Sequence, residues 1–130
     1  MNKICLILVF FCTACITKKE IAKTGVEQIQ FGSGGGFTGE YITYTLFQDG
    51  EIKKGEKIVN KISLKETLSR YAEAKSLSAY TFNDPQNMTY FIGILMKNDT
   101  NNISWGIESQ EINKETQNLY KKLIQSTTTN

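Results

Sequence analysis

The residues most suggestive of chemistry are the glycines of Gly32-Ser33-Gly34-Gly35-Gly36-Phe37-Thr38-Gly39. Gly34, Gly36 and Gly39 spell G-x-G-x-x-G, the spacing with which a bare backbone loop cradles a pyrophosphate. That chemistry requires the loop to open a helix, whose amino end meets the phosphates. Here the segment leads into Tyr41-Ile42-Thr43-Tyr44-Thr45-Leu46-Phe47, a β-branched and aromatic run that reads as a strand. A P-loop needs Lys followed by Ser or Thr behind its last glycine, and Glu40 stands there instead. A kinase phosphate loop does lie between strands, but the other kinase elements are missing and 130 residues are too few to hold them. Two readings remain for the segment. It is a bulged connection that uses glycine for positive φ, or it is a binding loop, Gly34, Gly35, Gly36, Phe37, Thr38 and Gly39, which lets a partner approach the backbone closely. Phe37 is expected in the core, with an exposed anchor as the alternative. Trp105 is likewise expected in the core, with a binding hot spot as the alternative.

The residue types that are missing narrow the chemistry further. The chain has no histidine, and its three cysteines, Cys5, Cys12 and Cys15, all fall in the first fifteen residues. Ser-His-Asp and Cys-His catalysis, histidine metal sites and the usual general base near neutral pH are therefore absent from the rest of the chain. So are cysteine zinc sites and disulfides. Carboxylate-pair hydrolysis remains chemically open, but Asp49, Asp84 and Asp99 sit in turn-like sequence and no two glutamates stand out. No cofactor is expected. Formal net charge is +2, from 15 basic and 13 acidic residues, and the basic residues form only pairs such as Lys53-Lys54. That pattern does not fit a nucleic-acid partner, which calls for a basic face.

The first residues read as an export signal. Lys3 supplies a charge, residues 4–11 are an unbroken apolar run, and Thr13-Ala14 are small. The run is well short of the roughly 20 apolar residues that a spanning helix needs. Cys12-Thr13-Ala14-Cys15 resembles the lipobox of bacterial lipoproteins, although Cys12 stands where Leu is usual. The resemblance implies a signal peptide at residues 1–14, with Cys15 as the lipidated first residue of the mature chain. Cleavage after Ala14 without lipid is the alternative. A diacylated and N-acylated cysteine anchors stably, because each buried methylene contributes about 0.8 kcal/mol. Ile16 follows the cysteine where Asp would signal inner-membrane retention, which favours the outer membrane in a Gram-negative cell.

The remaining segments supply the frame. Residues 15–24 are polar and read as a tether, residues 25–126 as a single domain, and residues 127–130 as a frayed tail. Val26, Ile29 and Phe31 begin a strand. Ile42, Tyr44 and Leu46 share one face of the next. Asp49-Gly50 predicts a type I′ hairpin turn, with pairing back from residue 51 and residues 57–60 extending or continuing that strand. Ser63-Leu64-Lys65-Glu66 is a capping box, and Leu64, Leu68, Tyr71 and Ala72 recur at helical spacing to about Leu77. Residues 89–97 form the most apolar strand, and residues 102–107 pair back with Ile103, Trp105 and Ile107 on one face. Asn113 caps a last helix carrying Leu119, Tyr120, Leu123 and Ile124. The order β-β-β-α-β-β-α predicts an α+β two-layer sandwich, with a mostly antiparallel sheet and two helices on one face.

The GSGGGFTG segment, the Thr- and Tyr-rich strand behind it and Asp49-Gly50 together resemble small lipoproteins of Bacteroidetes, flavobacteria above all. That resemblance implies an envelope location and no particular activity. Ser33-Gly34-Gly35-Gly36-Phe37-Thr38-Gly39, followed by strands, a helix, a hairpin and a last helix, also resembles emfourin-type inhibitors of metalloproteases. The segment differs from those by an extra glycine and by Thr38 where Ala is usual. The leading expectation is a non-enzymatic binding module held at the membrane by its lipid, with an envelope or secreted protein as partner and protease inhibition as its sharpest form. A structural or assembly lipoprotein without a ligand site is the alternative, and a carboxylate-only hydrolase a distant third.

Overall fold

A computed structural model describes residues 16–128; the expected signal peptide, Cys15 and the last two residues lie outside them. The elements are α1 (Lys18–Ala22), β1 (Val26–Gly35), β2 (Tyr41–Leu46), β3 (Glu51–Lys54), β4 (Lys57–Lys61), α2 (Leu64–Ser76), β5 (Met88–Met96), β6 (Asp99–Gly106) and α3 (Lys114–Gln125). The six strands form one sheet in the order β4-β3-β2-β1-β5-β6. Every neighbouring pair is antiparallel. Helices α2 and α3 cover one face, so the α+β sandwich expected from the periodicities is the architecture found.

Strand alternation explains which face is covered. The cross-strand row Leu46-Ile29-Ile94 and the row Tyr44-Phe31-Ile92-Ile103 point toward the helices. They meet Tyr71 and Ala74 of α2 and Leu119 and Leu123 of α3 in one apolar core. Phe31 stacks on Tyr44 with ring centroids 5.6 Å apart. Trp105 is buried, where Tyr120 meets it edge-on at 5.1 Å. Its role is therefore packing, and it does not belong to an exposed site. Tyr71 is fully buried, and its hydroxyl donates to the carbonyls of Leu46 at 2.8 Å and Glu27 at 3.2 Å. A buried phenol needs such a partner, and this one ties α2 to the sheet.

Apart from Phe91, the opposite face carries small or polar residues over the middle strands. Its rows are Thr45-Gln30-Gly93-Asn102 and Thr43-Gly32-Phe91-Ser104. Both edges are protected against further pairing. Lys57 and Lys61 flank β4, and residues 82–84 lie along β6, where the Ser104 amide donates to the Phe82 carbonyl at 3.1 Å.

Helix caps fall where local sequence places them. Ser63 Oγ accepts from the Glu66 amide at 3.1 Å and Asn113 Oδ1 from the Thr116 amide at 2.9 Å. Several expectations need correction. Residues 15–24 are not a tether throughout, because α1 lies within them and Ile21 is fully buried. One buried apolar residue on a five-residue helix leaves too little periodicity to read. Residues 57–61 neither extend nor continue β3; they form β4, which returns from a two-residue turn at Gly55-Glu56 with Gly55 at φ 61°. The Asp49-Gly50 turn is not type I′, since only Gly50 has positive φ. The Gly50 amide donates to the Phe47 carbonyl at 3.0 Å and the Phe47 amide to Glu51 at 2.9 Å, giving a three-residue hairpin loop with glycine in the left-handed position. A Cβ on Gly50 would strike the Ile62 carbonyl, so the closer turn is also a packing requirement.

Candidate functional site

The glycine segment divides between strand and loop. Gly32, Gly34 and Gly35 belong to β1; Gly32 and Gly34 are paired with β2 on one side and β5 on the other, and Gly35 with β5 alone. Gly32 and Gly34 sit beneath two aromatic rings on the helix-free face. A Cβ on Gly32 would lie 3.1 Å from Phe91 Cζ and would overlap the Ile42 carbonyl, while one on Gly34 would overlap the Tyr41 ring. Tyr41 and Phe91 pack over these glycines with centroids 6.2 Å apart. Gly34 and Gly35 are thus places where neighbouring groups approach the strand, and the free loop is confined to residues 36–40.

Backbone bonds hold this loop at its base. The Gly36 amide donates to the Asn87 carbonyl at 2.7 Å, the Gly35 amide to Glu40 at 3.1 Å, and the Gly39 amide to Gly36 at 3.3 Å. Gly35, Gly36 and Gly39 have φ of 104°, 74° and 63°, a region that costs other L-residues about 1–2 kcal/mol each. Thr38 Oγ1 accepts from the Glu40 amide at 3.4 Å. Phe37 stands at the tip, 111% exposed. The expectation that it plugs the core is overturned, because the turn lies beyond the last residues paired between β1 and β2 and no element among the described residues reaches over it.

The surroundings of Phe37 are apolar. Among the described residues, six large hydrophobic side chains are exposed, and five of them (Phe37, Tyr41, Ile42, Met88 and Ile107) are at this end of the sheet. Tyr41 and Ile42 lie on opposite faces of the first turn of β2. Ile42 shares the face of Tyr44 and Leu46 but lies past the ground that the helices cover. A groove of about 370 Å³, lined by Gln86, Asn87, Met88, Ile107 and Glu108, opens beside the loop, since Asn87 is the residue that anchors Gly36. Its walls are braced by polar groups. Ser109 Oγ donates to Asp84 at 2.7 Å and accepts from the Gly106 amide at 2.9 Å, and the Glu108 amide donates to Gln86 Oε1 at 3.1 Å.

Sequence reasoning located the loop and missed Met88 and Ile107. The alternation in residues 102–107 places Ile107 on one face with Ile103 and Trp105. Instead β6 ends at Gly106, where a Cβ would collide with Gln86, and the chain turns outward. Gly106 beside Ile107 was the one available signal. Among the described residues no cluster of three or more His, Cys, Asp or Glu side chains could hold a metal. No described helix is long and apolar enough to cross a membrane.

The arrangement suits apolar contact: an aromatic tip on a braced turn, a shallow groove beside it and Glu40 and Glu108 at its rim. No protein-family model, curated protein or solved structure matches the chain.

Proposed function

We propose that this protein is a non-enzymatic binding module anchored to the cell envelope through lipid on Cys15, and that it engages a protein partner with the Phe37 loop and the adjoining Met88-Ile107 groove. The exposure of Phe37 on a turn braced on both flanks is the observation that carries this reading. An aromatic side chain with only two rotatable bonds, carried on a turn whose backbone is already braced, loses little entropy on binding and makes a strong anchor. Such a loop also suits insertion into the cleft of a protease, the sharpest form of the proposal.

The position of the amino end supports the same reading. β1 starts beside Met96 and finishes at the Phe37 turn, and its ten residues span about 33 Å. Only Ile16 and Thr17 separate Cys15 from α1. A lipid on Cys15 would hold the α1 end close to the membrane and direct Phe37 away from it, toward soluble or peripheral partners.

The test is affinity capture from envelope extract with the protein and its Phe37→Ala variant, followed by protease assays on whatever is captured. A partner retained by the protein and lost by the variant is the expected result. Identical partner sets would remove the loop from the function and leave a structural lipoprotein. Gly34→Val is unsuited as a second probe, since it would disturb β1 and Tyr41 before it touched the loop.

A further inference from the structure

At the seam between β4, the start of α2 and the end of α3 lies a second cleft, of about 440 Å³ and mostly polar walls. Asn60, Lys61, Ser63, Arg70, Lys122 and Ser126 are among its lining residues. It contains Arg70, the chain's single arginine. The Arg70 side chain is only 16% exposed, and its NH1 donates to Glu73 Oε2 at 3.1 Å. The other Glu73 oxygen accepts from Lys122 Nζ at 2.5 Å. One carboxylate therefore serves two cations, and Lys61 adds a third at the wall. Glu66, exposed at the rim, is the remaining charged group.

Several of the cleft's backbone and hydroxyl acceptors are already occupied. The Ser126 carbonyl takes the Asn60 amide at 2.7 Å, the Gln125 carbonyl takes the Thr128 hydroxyl at 3.2 Å, and Ser63 Oγ takes the Glu66 amide. Hydroxyls of Ser126 and Thr127 likewise fill the Lys122 and Ile124 carbonyls, so the negative end of α3 is spent on its own side chains. Among the described residues, Lys61 Nζ and the Arg70 NH2 group have no acceptor and NH1 is the only guanidinium atom that bonds to protein, while Nε is shut off from the cleft as it is from solvent. The group that would complete this site brings acceptor oxygens and negative charge, and a guanidinium fork matches a planar or tetrahedral oxyanion.

We propose that this cleft is an oxyanion site, taking a small ligand through a phosphate or carboxylate group held by Arg70, with Lys61 and Lys122 beside it. The site lies apart from the Phe37 loop and does not depend on the function proposed for that loop. Its occupancy would tie β4, α2 and α3 together at their common seam.

Amide chemical shifts of the ¹⁵N-labelled protein, followed through parallel titrations with inorganic phosphate, acetate and citrate against sodium chloride of matched ionic strength, test the proposal. The expected result is saturable shifts at Lys61, Ser63, Arg70 and Ser126 with at least one of the oxyanions. Phosphate alone would assign a phosphate-bearing ligand, and citrate or acetate alone a carboxylate-bearing one. Affinity should fall about tenfold or more in Arg70→Gln. Arg70→Lys, which keeps the charge and loses the fork, should fall between, and Phe37→Ala should bind as the parent does. Lys61→Gln, an exposed change that leaves the Glu73 pairs in place, serves if Arg70→Gln does not fold, and should weaken binding. Shifts that chloride reproduces, or that survive unchanged in Arg70→Lys and Lys61→Gln, would overturn the proposal and leave a water-filled groove.

Discussion

Gly32→Ala separates a glycine that confers flexibility from one that makes room. Gly32 does not have positive φ, so alanine is conformationally acceptable there. If the segment were a loose connection, the change would stabilise the protein by about 0.4–1 kcal/mol, because alanine narrows the unfolded ensemble. The structure predicts the opposite sign. The new Cβ would overlap the Ile42 carbonyl oxygen, with the carbonyl carbon at 2.9 Å and Phe91 Cζ at 3.1 Å. The ring can turn aside, but the oxygen belongs to the backbone of β2, and no rotamer moves it. Relief requires β2 to shift relative to β1, at the overpacking cost of about 1–3 kcal/mol. Subtracting the unfolded-state gain leaves a net loss of about 1–2 kcal/mol, or roughly 4–8 °C in Tm for a domain near this size. Urea and thermal unfolding followed by circular dichroism measure it. Gly39→Ala is the companion: no atom lies near its Cβ, so only φ strain of about 1–2 kcal/mol applies. A Gly32→Ala midpoint equal to or above that of the parent would refute the placement of Gly32 between β2 and Phe91.

Ile21→Ala should cost about 2 kcal/mol in urea unfolding, because Ile21 is fully buried; no change would return residues 15–24 to the status of a tether. Tyr71→Phe should lose about 1–2 kcal/mol, by removing the donor to Leu46 and Glu27 while preserving the ring packing; a neutral result would discount that anchor. Burial pushes the Tyr120 hydroxyl up to about 12. Its contribution to stability is therefore complete below the ordinary tyrosine value near pH 10 and lost as pH rises from there through about 12. Melting temperatures in that window should fall less steeply in Tyr120→Phe. Cys15→Ser should abolish labelling by palmitate and release the protein from membranes; an unlabelled parent protein would end the proposal of a lipid anchor.

Much of this fold was legible in the sequence, and the reason is that the relevant interactions are short-ranged. The Ser63 and Asn113 caps each involve a residue and the amide three positions on, so the start of α2 and of α3 could be read directly. Alternation in 42–46 identified a face of β2 correctly, as did helical spacing for Tyr71 and Leu119. Those periods, with two hairpins, imply an antiparallel sheet covered by helices. The glycine segment was located as the unusual feature by its composition alone.

Its division into strand and loop was not a local matter. Gly32 and Gly34 become strand because β2 and β5 pair with them on both sides, and because Phe91 and Tyr41, from different strands, pack where their missing Cβ atoms leave room. Neither neighbour can be inferred from the glycines. For the same reason Phe37, Ile42, Met88 and Ile107 are apolar side chains that nevertheless end up exposed. Residue type determines a preference for burial, whereas burial itself depends on where α2 and α3 stop covering the sheet. That boundary arises from contacts between segments far apart in the chain, and only the tertiary structure decides it.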